Sequence, residues 1–207
     1  MKNICFPGRY LQEVILKQTS QYLSINMSKT TFKDFAVFDT MQRHKRWRYP
    51  FGAAGIFLAC AIFLFGIQEQ IPNAFLVGTI FCIVAVGLSA GYLRNFYRSI
   101  PKEAEKMKLD PPRLVYSLSV TRDNDAVLYY LPGDKKPSER FTWKSIDSVW
   151  ITPKAIYIYV TPERALTIPS FTKNVNLEEL WTFIANKVDD EKMHDVRKFN
   201  LKKFLTK

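Results

Sequence analysis

The chain is short of the residues that mark common active sites. Its two histidines, His44 and His194, lie far apart, and its three cysteines, Cys5, Cys60 and Cys82, are scattered over 207 residues. Neither set has the spacing of a zinc site or a disulfide scaffold. There is no Gly-rich phosphate loop, no Gly-x-Ser-x-Gly elbow and no His-containing metal motif. Asp123 and Asp125 read as turn formers, and Glu178 and Glu179 as the acidic first turn of a helix. No catalytic set, metal or cofactor is expected, and the chain reads as a non-enzyme. The most telling scarcity is of charge. Residues 51–93 hold one acid, Glu69, and no Lys, Arg or His, although 24% of the whole chain is charged. An aromatic content of 14% excludes a disordered chain.

Apolar residues fill that stretch. The first run, residues 51–67, would cover about 25 Å as a helix, and the second, 74–93, about 30 Å, against a hydrocarbon core of about 30 Å. The short polar connection at 68–73 makes them an antiparallel hairpin. Trp47 and Tyr49 stand where an interfacial aromatic belt belongs. Arg43, Lys45, Arg46 and Arg48 precede the first run and Arg94 and Arg98 follow the second, whereas the connection has no Lys or Arg. The positive-inside rule then places both termini in the cytoplasm. The lipid bilayer, crossed twice, is the first expected partner. The formal net charge of +11 is assigned to membrane flanks, and no nucleic acid is expected, because no recognised nucleic-acid module accompanies it. Neither run holds Asp, Glu, Lys, Arg or His, so an ion-coupled pathway has no ligands. Gly55 with Ala59, and Gly87 with Gly91, form small-xxx-small pairs. Packing within the hairpin is their expected use, with a homo-oligomer contact as the alternative.

Around the hairpin the periodicity changes. Leu23, Ile25 and Met27 alternate with polar residues as in a short strand. Thr31 and Asp34 read as a capping box opening a helix through Phe32, Phe35, Phe38 and Met41. Leu11, Val14 and Ile15 hint at a helix within residues 1–19. Residues 101–109 read as a helical extension stopped by Pro111 and Pro112. Strand signals follow at 114–120, 127–131, 141–143, 146–151, 155–160 and 164–168, joined by tight turns as in an antiparallel meander. Asn176 caps a closing helix with Leu177, Leu180, Trp181, Ile184 and Val188 at helical spacing, and Trp181 is predicted as a core residue. Four segments result: a cytoplasmic strand and helix at 1–48, a transmembrane hairpin at 49–98, a cytoplasmic sheet domain at 110–190 and a basic tail at 191–207. The fold class is an α+β membrane protein, with an antiparallel, pleckstrin-homology-like (PH-like) bent sheet and a C-terminal capping helix. The PH likeness rests on element order.

Several segments together resemble the YcxB-like family of bacterial membrane proteins. They are Thr31-Phe32-Lys33-Asp34-Phe35 ahead of the basic cluster and hairpin, Phe141-Thr142-Trp143-Lys144-Ser145-Ile146, Ala155-Ile156-Tyr157-Ile158-Tyr159 and Ala165-Leu166-Thr167-Ile168-Pro169. Ser170, Phe171 and Thr172 depart from the basic character often seen after the family's Ile-Pro step. The resemblance implies the architecture just described and a bacterial cytoplasmic (inner) membrane address, and it carries no established molecular activity.

The expected function is a membrane-tethered binding or regulatory module. Lys135, Lys136 and Arg140 after Gly133, with Lys173 beside the last strand, are the candidate ligand or partner contacts. The basic flanks and the tail are candidates for anionic lipid. The alternative is a structural subunit that assembles with other membrane proteins through its hairpin.

Overall fold

Residues 21–120, 125–172 and 175–197 are described by the structure, a computed structural model. The proposed helix within 1–19 and all but the first seven residues of the tail lie outside them. The described chain forms two compact units, Ser28–Pro112 and the strands on either side of it.

In the first unit, helix α1 (Lys29–Val37) begins at Ser28, whose Oγ accepts from the Thr31 amide at 3.2 Å. The capping box expected at Thr31 is corrected: Ser28, in extended conformation, supplies the cap, and Thr31 lies inside the first turn, buried. A six-residue π-helical stretch, Phe38–Arg43, follows, and α2 (Arg48–Gly66) starts after a left-handed Lys45. Helix α3 (Ala74–Lys106) runs on through Pro101, so the expected extension is one piece with the second apolar helix. Its 33 residues make it about 50 Å long, well beyond a hydrocarbon core. The surplus is packed: α1 lies along α3, with Thr31, Phe38, Ile100, Ala104 and Leu109 buried. Lys29 Nζ meets Asp110 at 2.9 Å, and this hydrogen-bonded partner holds the ammonium above its ordinary pKa.

The α2–α3 seam is built from small residues and paired rings. Ala54, Ala61, Gly78 and Ala85 are buried, each a heptad from its mate on the same helix. Phe57 meets Phe81 edge-on at 5.5 Å, and Phe65 meets Phe75 at 5.6 Å. A Cβ on Gly78 would lie 2.7 Å from the Phe65 ring, so only glycine fits there without displacing it. The pairs expected to pack inside the hairpin do not. A Cβ at Gly55, Gly87 or Gly91 would meet nothing within 4 Å, and Ala59 is exposed. Both helices are long and apolar enough to cross a membrane, and most of their apolar surface points outward, as at Ile62 and Ile83.

In the second unit, strand β1 (Gln21–Met27) comes from before the hairpin and β2 (Arg113–Val120) from after it. They pair antiparallel, from Gln21 opposite Val120 to Met27 opposite Arg113. The strand of segment 1–48 therefore shares a core with segment 110–190, while the helix of 1–48 belongs with α3. β3 (Ala126–Tyr130) and β4 (Glu139–Thr142) complete a sheet of order β1-β2-β3-β4. A 3-10 turn at Trp143–Ser145 replaces the expected continuation of β4. β5 (Ser148–Ile151), β6 (Ala155–Thr161) and β7 (Arg164–Pro169) form a second antiparallel set.

Helix α4 (Leu177–Ala185) is capped as expected: Asn176 Oδ1 accepts from the Glu178 amide, and Asn176 Nδ2 donates to Glu179, both at 3.0 Å. It ends short of Val188. The chain then returns as β8 (Met193–Asp195), parallel to β5, giving a second sheet of order β7-β6-β5-β8. This strand corrects the expectation of a purely antiparallel meander closed by a helix; three residues are too few to show a period in sequence. Leu23, Ile25, Leu118 and Val127 from the first sheet and Ile151, Ile156, Ile158, Leu166 and Ile168 from the second make one core with Leu180 and Ile184 of α4. Trp143 is fully buried and meets Phe183 edge-on, whereas Trp181 is half-buried against the core.

Candidate functional site

β7 is the outer strand of its sheet, and its free edge is fastened to the first sheet at two points. The Tyr116 hydroxyl on β2 donates to the Thr167 carbonyl at 2.9 Å and accepts from the Thr167 amide at 2.6 Å. One phenol thus satisfies both backbone groups of an edge residue, a substitute for a further strand. Burial pushes the Tyr116 phenol pKa well above its ordinary value. The second fastening is Arg164, whose guanidinium makes two 2.7 Å bonds to the Glu139 carboxylate on β4. It lies 5.4 Å from the Tyr129 ring centre and 5.3 Å from that of Phe141. The fork geometry and flanking rings suit arginine and would not suit lysine. The Arg164 hydrogen bonds hold the Glu139 carboxyl below the usual carboxylate range, and Glu139 raises Arg164 in turn. Sequence reading missed this corner, since nothing at residue 139 announces a partner at 164.

The cations singled out from sequence stand elsewhere. Lys135 and Lys136 are exposed in the β3–β4 loop. That loop is ordered by its own bonds: Ser138 Oγ donates to Asp134 at 3.0 Å and accepts from the Leu131 amide at 3.2 Å. Arg140 alternates with Glu139 and Phe141 on β4, so it points away from the Arg164 corner, onto the outer face of the first sheet. Register places Tyr22, Ser119, Leu128 and Arg140 in one row across that face. Tyr130 stands beside them, with its ring 5.2 Å from that of Tyr22. The outer face therefore combines two tyrosines, a leucine and a guanidinium, with two lysines in the loop that follows β3. Lys173 lies outside the described residues. Among the described residues, no group of three or more His, Cys, Asp or Glu is placed to hold a metal ion.

The flank cations gather at one end of the helical unit. Trp47 Nε1 donates to the Met41 carbonyl at 3.1 Å, and its ring meets Phe51 edge-on. Arg43 lies 3.7 Å from Asp39, so it is partly neutralised. Arg46, Arg48, Arg94, Arg98 and Tyr49 are exposed, while Lys45 is half-buried. The two helices run antiparallel, so their seam puts Arg48 near the level of Gly91 and both clusters at the same end.

A family model described as YcxB-like protein matches residues 136–171, a segment running from the end of the β3–β4 loop through β7. No curated protein and no solved structure is a significant match. The matched segment carries Glu139, Phe141, Arg164 and Thr167, four of the six residues that fasten β7, so the chain's similarity to the YcxB-like family falls on the corner that joins its two sheets.

Proposed function

We propose that the chain is a non-enzymatic, two-span protein of the bacterial cytoplasmic membrane. In this reading a PH-like domain on the cytoplasmic side binds a protein partner. Two helices covered in exposed apolar side chains support the membrane reading, because such a surface is unfavourable in water. Basic clusters at one end and a connection without Lys or Arg support the orientation. The PH likeness is supported by two sheets over one core with a helix after the last antiparallel strand. The observation that carries the binding role is the outer face of the first sheet. Aromatic and guanidinium groups are the types that dominate protein interfaces, and the net positive character of this face fits an acidic partner surface.

The test is crosslinking in intact cells with identification of the captured proteins. A variant with Tyr22→Ala, Arg140→Glu and Lys135→Glu should lose its partners while keeping the thermal midpoint of the parent. Unchanged capture would remove the outer face from consideration. The second reading, a structural subunit assembling through its hairpin, is favoured by Gly55, Gly87 and Gly91, which face open space. Replacing the hairpin by an unrelated one should then abolish capture, whereas the binding-module reading expects capture to persist.

A further inference from the structure

β8 has the marks of a replaceable strand. It has three residues, follows the last helix and pairs with the edge of β5 in the one parallel ladder among the described strands: Met193 opposite Val149, His194 opposite Trp150, Asp195 opposite Ile151. Parallel pairing is slightly weaker per residue than antiparallel pairing. The Val196 amide extends the ladder by donating to the Ile151 carbonyl at 3.0 Å. Met193 packs against the core, and the His194 ring lies 4.1 Å from that of Trp150. Past the strand, Arg197 bonds Asp195 through Nε at 3.0 Å and reaches back to Glu178 in the first turn of α4. These last contacts are between exposed groups, and such ion pairs contribute little. The buried side chains of the core come from the strands before β8, the turn at Trp143 and Ile146, and α4 with Val188, so removing β8 leaves that core nearly complete. What removal opens is a row of backbone donors and acceptors on β5, which must be paired again.

We infer that β8 is a resident occupant of a peptide-accepting edge, and that an extended segment of a partner protein takes its place on β5 by strand addition. This goes beyond the outer-face reading and rests on the same view of the sheet domain as a binding module. The contacts that β8 vacates define the ligand. It has an apolar residue where Met193 sits, a flat ring one position later to cover Trp150, and a cation four positions after the apolar residue. A cation is favoured there over an acid because Glu178 loses Arg197 when β8 leaves, a selection by charge sign more than by affinity. Backbone ladder bonds supply affinity and the alternate side chains supply specificity.

The test uses the full chain in detergent micelles. Hydrogen exchange comes first, and it needs no partner. The amides of residues 193–196 should exchange at least about 100-fold faster than those of Ile156–Ile158, reporting local opening of β8 rather than global unfolding. Equal rates would make β8 an integral strand and overturn the inference, whatever the outer-face variant does. A labelled peptide of residues 190–197 is then added. Val196→Pro, which removes the donor to Ile151, should tighten peptide binding at least about tenfold relative to the parent chain. A peptide with Met193, His194 and Arg197 replaced by Ser should not bind. No gain in the Val196→Pro chain, or equal binding of the substituted peptide, would overturn the edge site. If Val196→Pro fails to fold, the exchange rates of the parent chain decide.

Discussion

Ile158 and Ile83 are the same residue in opposite surroundings. Ile158 is fully buried in the sheet domain, whereas Ile83 on α3 is 66% exposed. The sheet domain follows the rule of a protein in water, with its large apolar side chains inside and its polar ones out. The hairpin inverts it: alanines, a glycine and facing phenylalanine rings fill the seam, and Ile, Leu and Val cover much of the outside. The difference shows that apolar content alone does not define a core. In the domain, burial of large side chains is the main stabilising term. In the hairpin, close approach of backbones replaces it, the packing mode of helices whose outer surface is as apolar as their contact.

Side-chain truncations should act very differently in the two regions. Trp143→Ala should cost the sheet domain about 3–5 kcal/mol in denaturant unfolding, with Trp181→Ala costing distinctly less because that ring is half-buried. A larger loss at Trp181 would mean that α4 packs by a different face. Ile158→Ala should cost about 2–5 kcal/mol, while Ile83→Ala should leave the unfolding midpoint of the domain unmoved. Overpacking should discriminate within the hairpin itself. Gly78→Leu should cost about 1–3 kcal/mol and reduce disulfide trapping between Phe57→Cys and Phe81→Cys, whereas Gly87→Leu should leave trapping at the parent yield.

Two smaller effects sharpen the account of the β7 edge. Tyr116→Phe strands the Thr167 amide and carbonyl and should cost about 1–3 kcal/mol. The folded chain holds the Tyr116 proton more tightly than the unfolded chain does. This stabilisation is therefore complete below about pH 10, the ordinary phenol value, and is lost as pH rises beyond it. Tyr116→Phe should show a shallower alkaline decline than its parent. Glu139→Gln, at an exposed pair, should cost only about 0.2–1 kcal/mol. Its folded pKa is depressed, so the contribution is present above the ordinary carboxylate pKa and fades as pH falls through the lower folded value. An acid-side unfolding series of the variant and its parent measures that window.

Much of this architecture was legible in the sequence, and what was missed has identifiable causes. The alternation at Leu23, Ile25 and Met27 correctly named the buried face of β1, but a two-residue period says nothing about which strand lies alongside. The partner follows both long helices in the chain. Charge scarcity located the hairpin, yet the small-residue pattern did not reveal which glycines face the other helix. Gly78, outside the pairs singled out, is the one that does, because the seam is set by the rotational phase of two helices. Helical spacing named Leu180 and Ile184 correctly and overrated Trp181. Trp143 was expected on a strand and is buried from a 3-10 turn. Lys135, Lys136 and Arg140 were singled out from their local charge alone, while the Glu139–Arg164 corner depends on two sheets meeting, which no local pattern encodes.

Placing the helices between β1 and β2 also orders events during synthesis. β1 is made first, and its ladder partner is made only after the whole Ser28–Pro112 unit. Roughly 85 residues at about 5–20 residues per second keep β1 waiting for about 4–17 s. Throughout that interval Leu23 and Ile25 have no core to enter, and the row of backbone groups that will meet β2 stays open to other pairings. The sheet closes only when the polypeptide has passed through both apolar helices and returned, so a folded sheet domain is a record that the hairpin has already been made.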